Sequence, residues 1–153
     1  MKNNDKKINI LKDIILKNIF LESEFFERTS KEVVEKIAEI SIKRGYVYEQ
    51  KKRDLNLIVT YRIFLEGEKN RIAYYVLTFR VIFETDMDFK SFSKNKRAEK
   101  YFLKNFVDSV LWPYLRIYLN EILMKTSLPN IVLPLSTGNQ QIDLQDNKIS
   151  INY

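Results

Sequence analysis

The chain has 153 residues, room for one ordinary domain, with 45% hydrophobic residues and a formal charge of +6 from 26 Lys plus Arg against 20 Asp plus Glu. It contains no Cys and no His, which excludes disulfides, thiolate or imidazole metal sites, Cys nucleophiles and every His-based triad. Its three glycines, Gly45, Gly67 and Gly138, lie far apart, so a glycine-rich phosphate cradle is excluded too.

Carboxylate chemistry survives these exclusions, and so does binding without chemistry. The ten Phe, nine Tyr and one Trp favour binding, because aromatics bring large contact area at low entropy cost. No cofactor is expected. The opening stretch is basic, but Lys12, Asp13, Lys17 and Asn18 interrupt its apolar residues, so neither a signal peptide nor a membrane insertion is expected. The lack of Cys suits a reducing cytoplasm.

In chain order, Ile8, Leu11, Ile15 and Ile19 follow helical spacing, so residues 6–16 read as a short amphipathic helix or a frayed basic tail. Residues 18–27 read as a strand. Strict alternation places Phe20, Glu22, Glu24 and Phe26 on one face and Ile19, Leu21, Ser23 and Phe25 on the other. Thr29-Ser30 offers a helix start for one or two turns over 31–36, and 37–48 resumes in extended form.

Two long strands follow. Over 53–66, Leu55, Leu57, Val59, Tyr61, Ile63 and Leu65 face one way, and Gly67 marks a turn. Over 71–85, Ala73, Tyr75, Leu77, Phe79, Val81 and Phe83 form the apolar face. The second face of this hairpin also carries Ile58, Phe64, Ile72, Val76 and Ile82, too apolar for water alone, which suggests association between copies. Ser91 or Ser93 can cap a helical region over 94–125, which Pro113 should kink or split after Trp112. The stretch after Thr126 is loop-like, and 141–153 suggests a small terminal hairpin. A sheet followed by helices, without βα alternation, is an α+β domain. The expected division is a basic extension over 1–16, a core over 17–135 and a variable tail over 136–153.

Residues 111–135, LWPYLRIYLNEILMKTSLPNIVLPL, resemble the bacterial export chaperone SecB. That family has a Phe-Pro-Tyr-Ala-Arg helix followed by a Phe-Pro-x-Leu-x-Leu-x-Pro stretch. Here the matching residues are Trp112, Pro113, Tyr114, Leu115 and Arg116, then Leu128, Pro129, Ile131, Leu133 and Pro134. The segments ending at Phe26-Glu27, at 39–42 and at 46–68 are similar to the family's first three strands.

The resemblance implies a four-stranded antiparallel sheet with a long, Pro-kinked helical region on one face. It also implies a dimer or tetramer, and ATP-independent holding of unfolded or nascent polypeptides in apolar grooves in the cytoplasm. Clients of the family pass to the motor SecA or, in relatives serving toxin–antitoxin systems, are antitoxins. SecA's basic tail docks on acidic sheet residues. This chain keeps Glu27 for that contact but is basic overall, with Ser23 near where an acid would stand.

The expected groove residues are Val33, Val34, Ile40 and Ile42 from the crossover region and Leu128, Ile131 and Leu133 from the proline loop, with Tyr46 and Tyr48 at the rim. Each could instead be ordinary core. Trp112, Pro113 and Tyr114 read as structural. The alternative function is binding of single-stranded nucleic acid by Lys90, Lys94, Lys96, Arg97, Lys100 and Lys104, interleaved with Phe89, Phe92 and Tyr101. Catalysis by Glu66, Glu84, Asp86 or Asp88 is the weakest reading, since acids are common at strand ends. No enzyme is expected.

Overall fold

A computed structural model describes residues 13–131 and 133, together with the backbone of 147–150. Four long strands dominate it: β1 (Ile15–Arg28), β2 (Glu39–Lys51), β3 (Asp54–Glu66) and β4 (Arg71–Glu84). They form an antiparallel sheet in the order β1-β4-β3-β2, and a short strand β5 (Asn147–Ser150) joins the β2 edge. The β2-β3-β4 meander turns through Lys52-Arg53 and through 67–70. A crossover over 29–38 carries the chain from β1 at one side to β2 at the other, as in a Greek key.

The alternation in β3 and β4 is realised residue for residue. Leu55, Leu57, Val59, Tyr61, Ile63 and Leu65 are fully buried, and so are Ala73, Tyr75, Leu77 and Val81. On the opposite face Ile58, Phe64, Val76 and Ile82 are half-buried, with no helix above them among the described residues, and Ile72 is buried.

Strand β1 departs from strict alternation. Its pairing with β4 shifts between Leu16 and Asn18 and again between Leu21 and Ser23. Each bulge inserts an unpaired residue, and one extra residue reverses which side chains face inward. Ile19 and Leu21 therefore face inward opposite Val81 and Phe79, whereas Ser23 and Phe25 face outward opposite Thr78 and Val76. Phe26 returns to the inner face against Tyr75, with ring centroids 5.9 Å apart. The strand also starts earlier than the sequence suggested. Ile15 and Leu16, expected at the end of a helix, already pair with Glu84 and Phe83, and residues 6–12 lie outside the described part.

The inner face is covered by a helical layer made of α1 (Phe89–Phe92), α2 (Lys96–Phe102), a π-helical stretch (Leu103–Asp108) and α3 (Ser109–Lys125). The caps are Asp88, which accepts from the Lys90 amide, and Asn95, which accepts from the Ala98 amide. The serines expected there serve otherwise: Ser93 ends α1 and Ser91 donates to Asp88. Leu111, Leu115, Leu119 and Leu123, spaced by four, lay one ridge on the sheet, and Trp112 plugs in beside them at 1% exposure.

Pro113 does not split the helix. It lies inside the continuous α3 segment, and the irregularity comes before it, in the π-helical stretch. Proline costs a helix one amide donor and crowds the carbonyl four residues back, here that of Ser109, where the wider π-helical stretch gives way to α3.

Helix α3 ends in a Schellman motif. Ser127 takes φ 54°, its amide donates to the Met124 carbonyl (3.3 Å), and the Leu128 amide donates to the Leu123 carbonyl (2.9 Å). Leu128 then packs back near Leu123, both buried, and sends the proline loop onto the core. Serine carries a Cβ in the left-handed region that glycine does not. Ser127→Gly is therefore expected to stabilise the protein by about 0.5–1 kcal/mol in chemical denaturation.

Candidate functional site

Tertiary contacts hold the crossover extended. Arg28 donates from Nε to the Ser30 carbonyl (2.9 Å), from one terminal nitrogen to the Glu32 carbonyl (2.8 Å) and from the other to the Thr126 carbonyl at the end of α3 (2.9 Å). The amides of Thr29 and Ser30 donate to the Ile72 carbonyl, and the Thr29 hydroxyl donates to the Arg71 carbonyl. These groups would have to serve the first helical turn expected over 31–36. Committed to Arg28 and β4, they leave no helix there. Arg28 thus ties the crossover, β1 and the helix terminus together. Its sequence offered no signal, because an Arg closing a strand is ordinary.

The crossover and the β3–β4 turn enclose an open cleft of about 480 Å³, lined by residues that include Val33, Val34, Lys36, Gly67 and Arg71. Val33 is 90% exposed and Val34 is half-buried against the core. The other expected groove residues lie elsewhere. Ile40 and Ile42 are fully buried on the inner face of β2, and Leu128, Ile131 and Leu133 are between 3% and 6% exposed. These five are core, placed there by the period of β2 and by the Schellman turn. Tyr46 and Tyr48 stand together over Phe89, with ring centroids at 6.4 and 4.7 Å, and Tyr48 keeps 38% exposure. The Tyr46 hydroxyl donates to Glu99, which also takes Lys96 (2.9 Å).

Of the motif residues, Trp112 is core, Pro113 lies on the exposed side of α3, Tyr114 is 42% exposed beside Phe79, and Arg116 is half-buried. Pro129 is half-buried, and Pro134 lies outside the described residues. Glu27 sits on the outer face of β1 opposite Tyr74.

Sequence reading missed the apolar side chains that do reach the surface. Ile117 (54% exposed) and Met124 (66%) join Tyr114 along the outward side of α3, and Phe20, Phe25 and Val47 stand on the outer sheet face. A helical wheel built on the Leu111–Leu123 ridge would have placed Ile117 and Met124 outside it. In β1 the outward face of Phe25 was hidden by the bulges.

The basic segment offers little for base stacking. Phe89 is buried, and Phe92 packs on Phe89 and Phe102 at 5.9 and 6.0 Å, leaving Tyr101 as the exposed ring. The acids considered for catalysis have structural partners. Glu66 pairs with Arg71, Glu84 with Lys17 and Arg53, Asp86 with Arg53, and Asp88 caps α1.

Beneath this surface lies a buried polar cluster. Arg44 of β2 donates from Nε to both oxygens of Asp108 (2.9 and 3.1 Å), and the Tyr61 hydroxyl of β3 donates to the same carboxylate at 2.6 Å. Both side chains of the ion pair are 3% exposed. Burial, with the Asp108 charge adding to it, pushes the Tyr61 phenol well above its ordinary value. Burial and the Glu24 hydrogen bond do the same for Tyr75, and burial and Glu99 for Tyr46. A raised phenol stabilises the fold fully below its unfolded value of about pH 10, and that stability drains away as the pH climbs toward the folded value. Stability should therefore fall steeply above about pH 10, and Tyr61→Phe should flatten that limb of a denaturation-versus-pH curve. Near neutrality Asp108→Ala, which strands a buried guanidinium, should cost about 3–5 kcal/mol.

No family model and no curated protein matches the sequence. The fold does match solved structures: the chain has the SecB-like α+β fold, a four-stranded antiparallel sheet with a long helix packed on it. One such structure is the Mycobacterium tuberculosis Rv1957 SecB-like chaperone, in complex with a ChAD peptide from the Rv1956 HigA1 antitoxin. It is 11% identical, with a TM-score of 0.64 over 85% of this chain and 96% of that one.

Proposed function

We propose that the protein is an ATP-independent holdase that captures extended, non-native polypeptide segments on apolar surface. The observation that carries the reading is the uncovered apolar area of the described protomer. Eleven large hydrophobic side chains are more than a third exposed, from Val33 at 90% to Tyr48 at 38%. Single exposed apolar residues are common, but eleven on one small protomer, with Val33 in the cleft and others along α3 and the outer sheet face, leave area suited to interaction. The fold supports the same reading, since the similar Rv1957 chaperone was solved with an antitoxin peptide. An antitoxin is accordingly the favoured client, ahead of an export precursor.

The proposed capture surface is revised from the sequence expectation. Val33 and Val34 of the crossover remain, Tyr114, Ile117 and Met124 of α3 replace the buried isoleucines and leucines, and Tyr48 drops out because it lies toward the other end of β2, beside Met87. Burying one large apolar side chain is worth about 1.5–3 kcal/mol, so four such contacts give roughly 6–12 kcal/mol gross. Ordering the client and halting its tumbling takes back much of that, which leaves binding tight enough to hold and weak enough to release. Pairing of copies into a dimer or tetramer would use the β1 edge, which no other described strand covers, and leave the α3 residues to the client. SecA is not proposed as the receiver, because the chain is basic overall.

The purified protein should suppress aggregation of a chemically denatured client at near-stoichiometric amounts without nucleotide. Val33→Asp combined with Ile117→Asp should impair holding while leaving the circular dichroism spectrum unchanged, because both side chains are exposed. Absence of suppression across several clients would reject the reading.

A further inference from the structure

Residues 29–38 belong to no helix or strand, yet both ends of this crossover are fixed. At its start the Thr29 and Ser30 amides donate to the Ile72 carbonyl. At its finish the Ala38 amide donates to the Glu66 carbonyl (2.9 Å), beside the fully buried Ile37. Between these ends lie Val33 and Val34, the crossover's share of the proposed capture surface.

A side chain, Arg28, sets the course of that span. Its Nε and one terminal nitrogen donate to the carbonyls of Ser30 and Glu32. In an extended backbone, carbonyls two residues apart point the same way, so both can be held from one side. The Glu32 carbonyl shares a planar trans peptide unit with the Val33 amide, and the two point in opposite directions. Holding the carbonyl toward Arg28 turns the Val33 end of the unit outward, in keeping with the 90% exposure of Val33.

The third bond from Arg28 runs to the Thr126 carbonyl, two residues after Met124. That residue is itself fixed, because its amide and its hydroxyl both donate to the Ile122 carbonyl. A cation at a helix C-terminus is also well placed against the helix dipole. One rigid planar group therefore connects Val33 with Met124, which is 66% exposed on α3. All three acceptors are backbone carbonyls, and no carboxylate bonds Arg28 among the described residues. What the position uses is the fork of the guanidinium, which a lysine lacks.

The geometry points to Arg28 as the positioning residue of the capture surface. It holds the crossover and the end of α3 in the mutual arrangement at which one extended apolar segment contacts both. This role rests on the polypeptide-capture reading and adds the linkage between its two halves. Filling one half steadies the other through the shared guanidinium, and loss of the fork leaves two weak, separate patches.

The test compares the full wild-type chain with Arg28→Lys, which keeps the charge and loses the fork. Val59→Ala, a core truncation in the middle of β3, serves as a destabilised control. Chemical denaturation ranks their stabilities. Fluorescence anisotropy reads affinity for a labelled peptide of alternating Val and Ser, and hydrogen exchange reads the amides of 31–36 and of Ser127 and Leu128. Arg28→Lys should bind the peptide about tenfold more weakly, the loss expected from one hydrogen bond to a charged group. Val59→Ala, though less stable, should bind as the wild type does. In the wild type the peptide should slow exchange both in the crossover and at Ser127 and Leu128, a response that needs no variant to be read. In Arg28→Lys the response at Ser127 and Leu128 should vanish. Undiminished affinity in Arg28→Lys, an equal loss in Val59→Ala, or exchange at the end of α3 that ignores the peptide overturns the role, with aggregation suppression by the wild type left standing. A wild type that neither binds the peptide nor suppresses aggregation rejects the holdase reading itself, and this role with it.

Discussion

The position of the helical layer on the sheet depends on one buried carboxylate. Asp108 takes Arg44 from β2 and Tyr61 from β3, in an interior otherwise made of Leu, Ile, Val and aromatic rings. Apolar packing sets that a helix lies on the sheet but is tolerant of sliding, since one leucine ridge fits several grooves. A buried charge is not tolerant: moved by one residue, it loses a partner and keeps its desolvation cost. The trio therefore fixes the register of α3 against two strands at once. It also holds in place the π-helical stretch that ends at Asp108.

The contrast between β3–β4 and β1 defines what the sequence could disclose. Alternation in β3 and β4 was legible because every residue of the pair except Ile72 has a cross-strand partner and one face is wholly covered. In β1 the same rule failed midway, because Glu22 is an extra residue that no period-two count can detect. The crossover was misread for a different reason. Thr29-Ser30 is a good local cap, but the groups that would open a helix are bonded to β4 and to Arg28, partners remote in sequence. The isoleucines of β2 were correctly read as apolar and alternating. What sequence could not settle was whether the covered side belonged to a client or to the protein's own helices, and Ile40 and Ile42 went to the core. The paired-proline resemblance, by contrast, led directly to the observed fold.

Surface chemistry divides the protomer. The outward side of α3 and the outer sheet carry uncovered apolar residues, while α1, α2 and the end of β2 carry one group of lysines, Lys90, Lys96, Lys100 and Lys51. The cation–π contacts of Lys43 and Arg71 with Phe64, at 6.0 and 4.5 Å, show the two kinds of surface meeting on the outer sheet face. Under the holdase reading this division separates attraction at a distance from adhesion on contact: charge would gather a segment and apolar area would retain it.

The π-helical stretch between α2 and α3 has one more consequence. A π turn acts as a one-residue phase slip, and each residue turns a helix by about 100°, so the two flanking segments present faces out of step with a single uninterrupted rod. Removing one residue between Leu103 and Asp108 would restore that rod. The two faces would keep their relation, because the wide turn takes up the extra residue; tightening the stretch to α without that deletion would instead rotate the lysine-bearing segment by about 100° relative to the leucine ridge and carry Phe102 off the sheet. The slack turn thus lets a lineage gain or lose one codon here while both faces of the helical layer stay where they are.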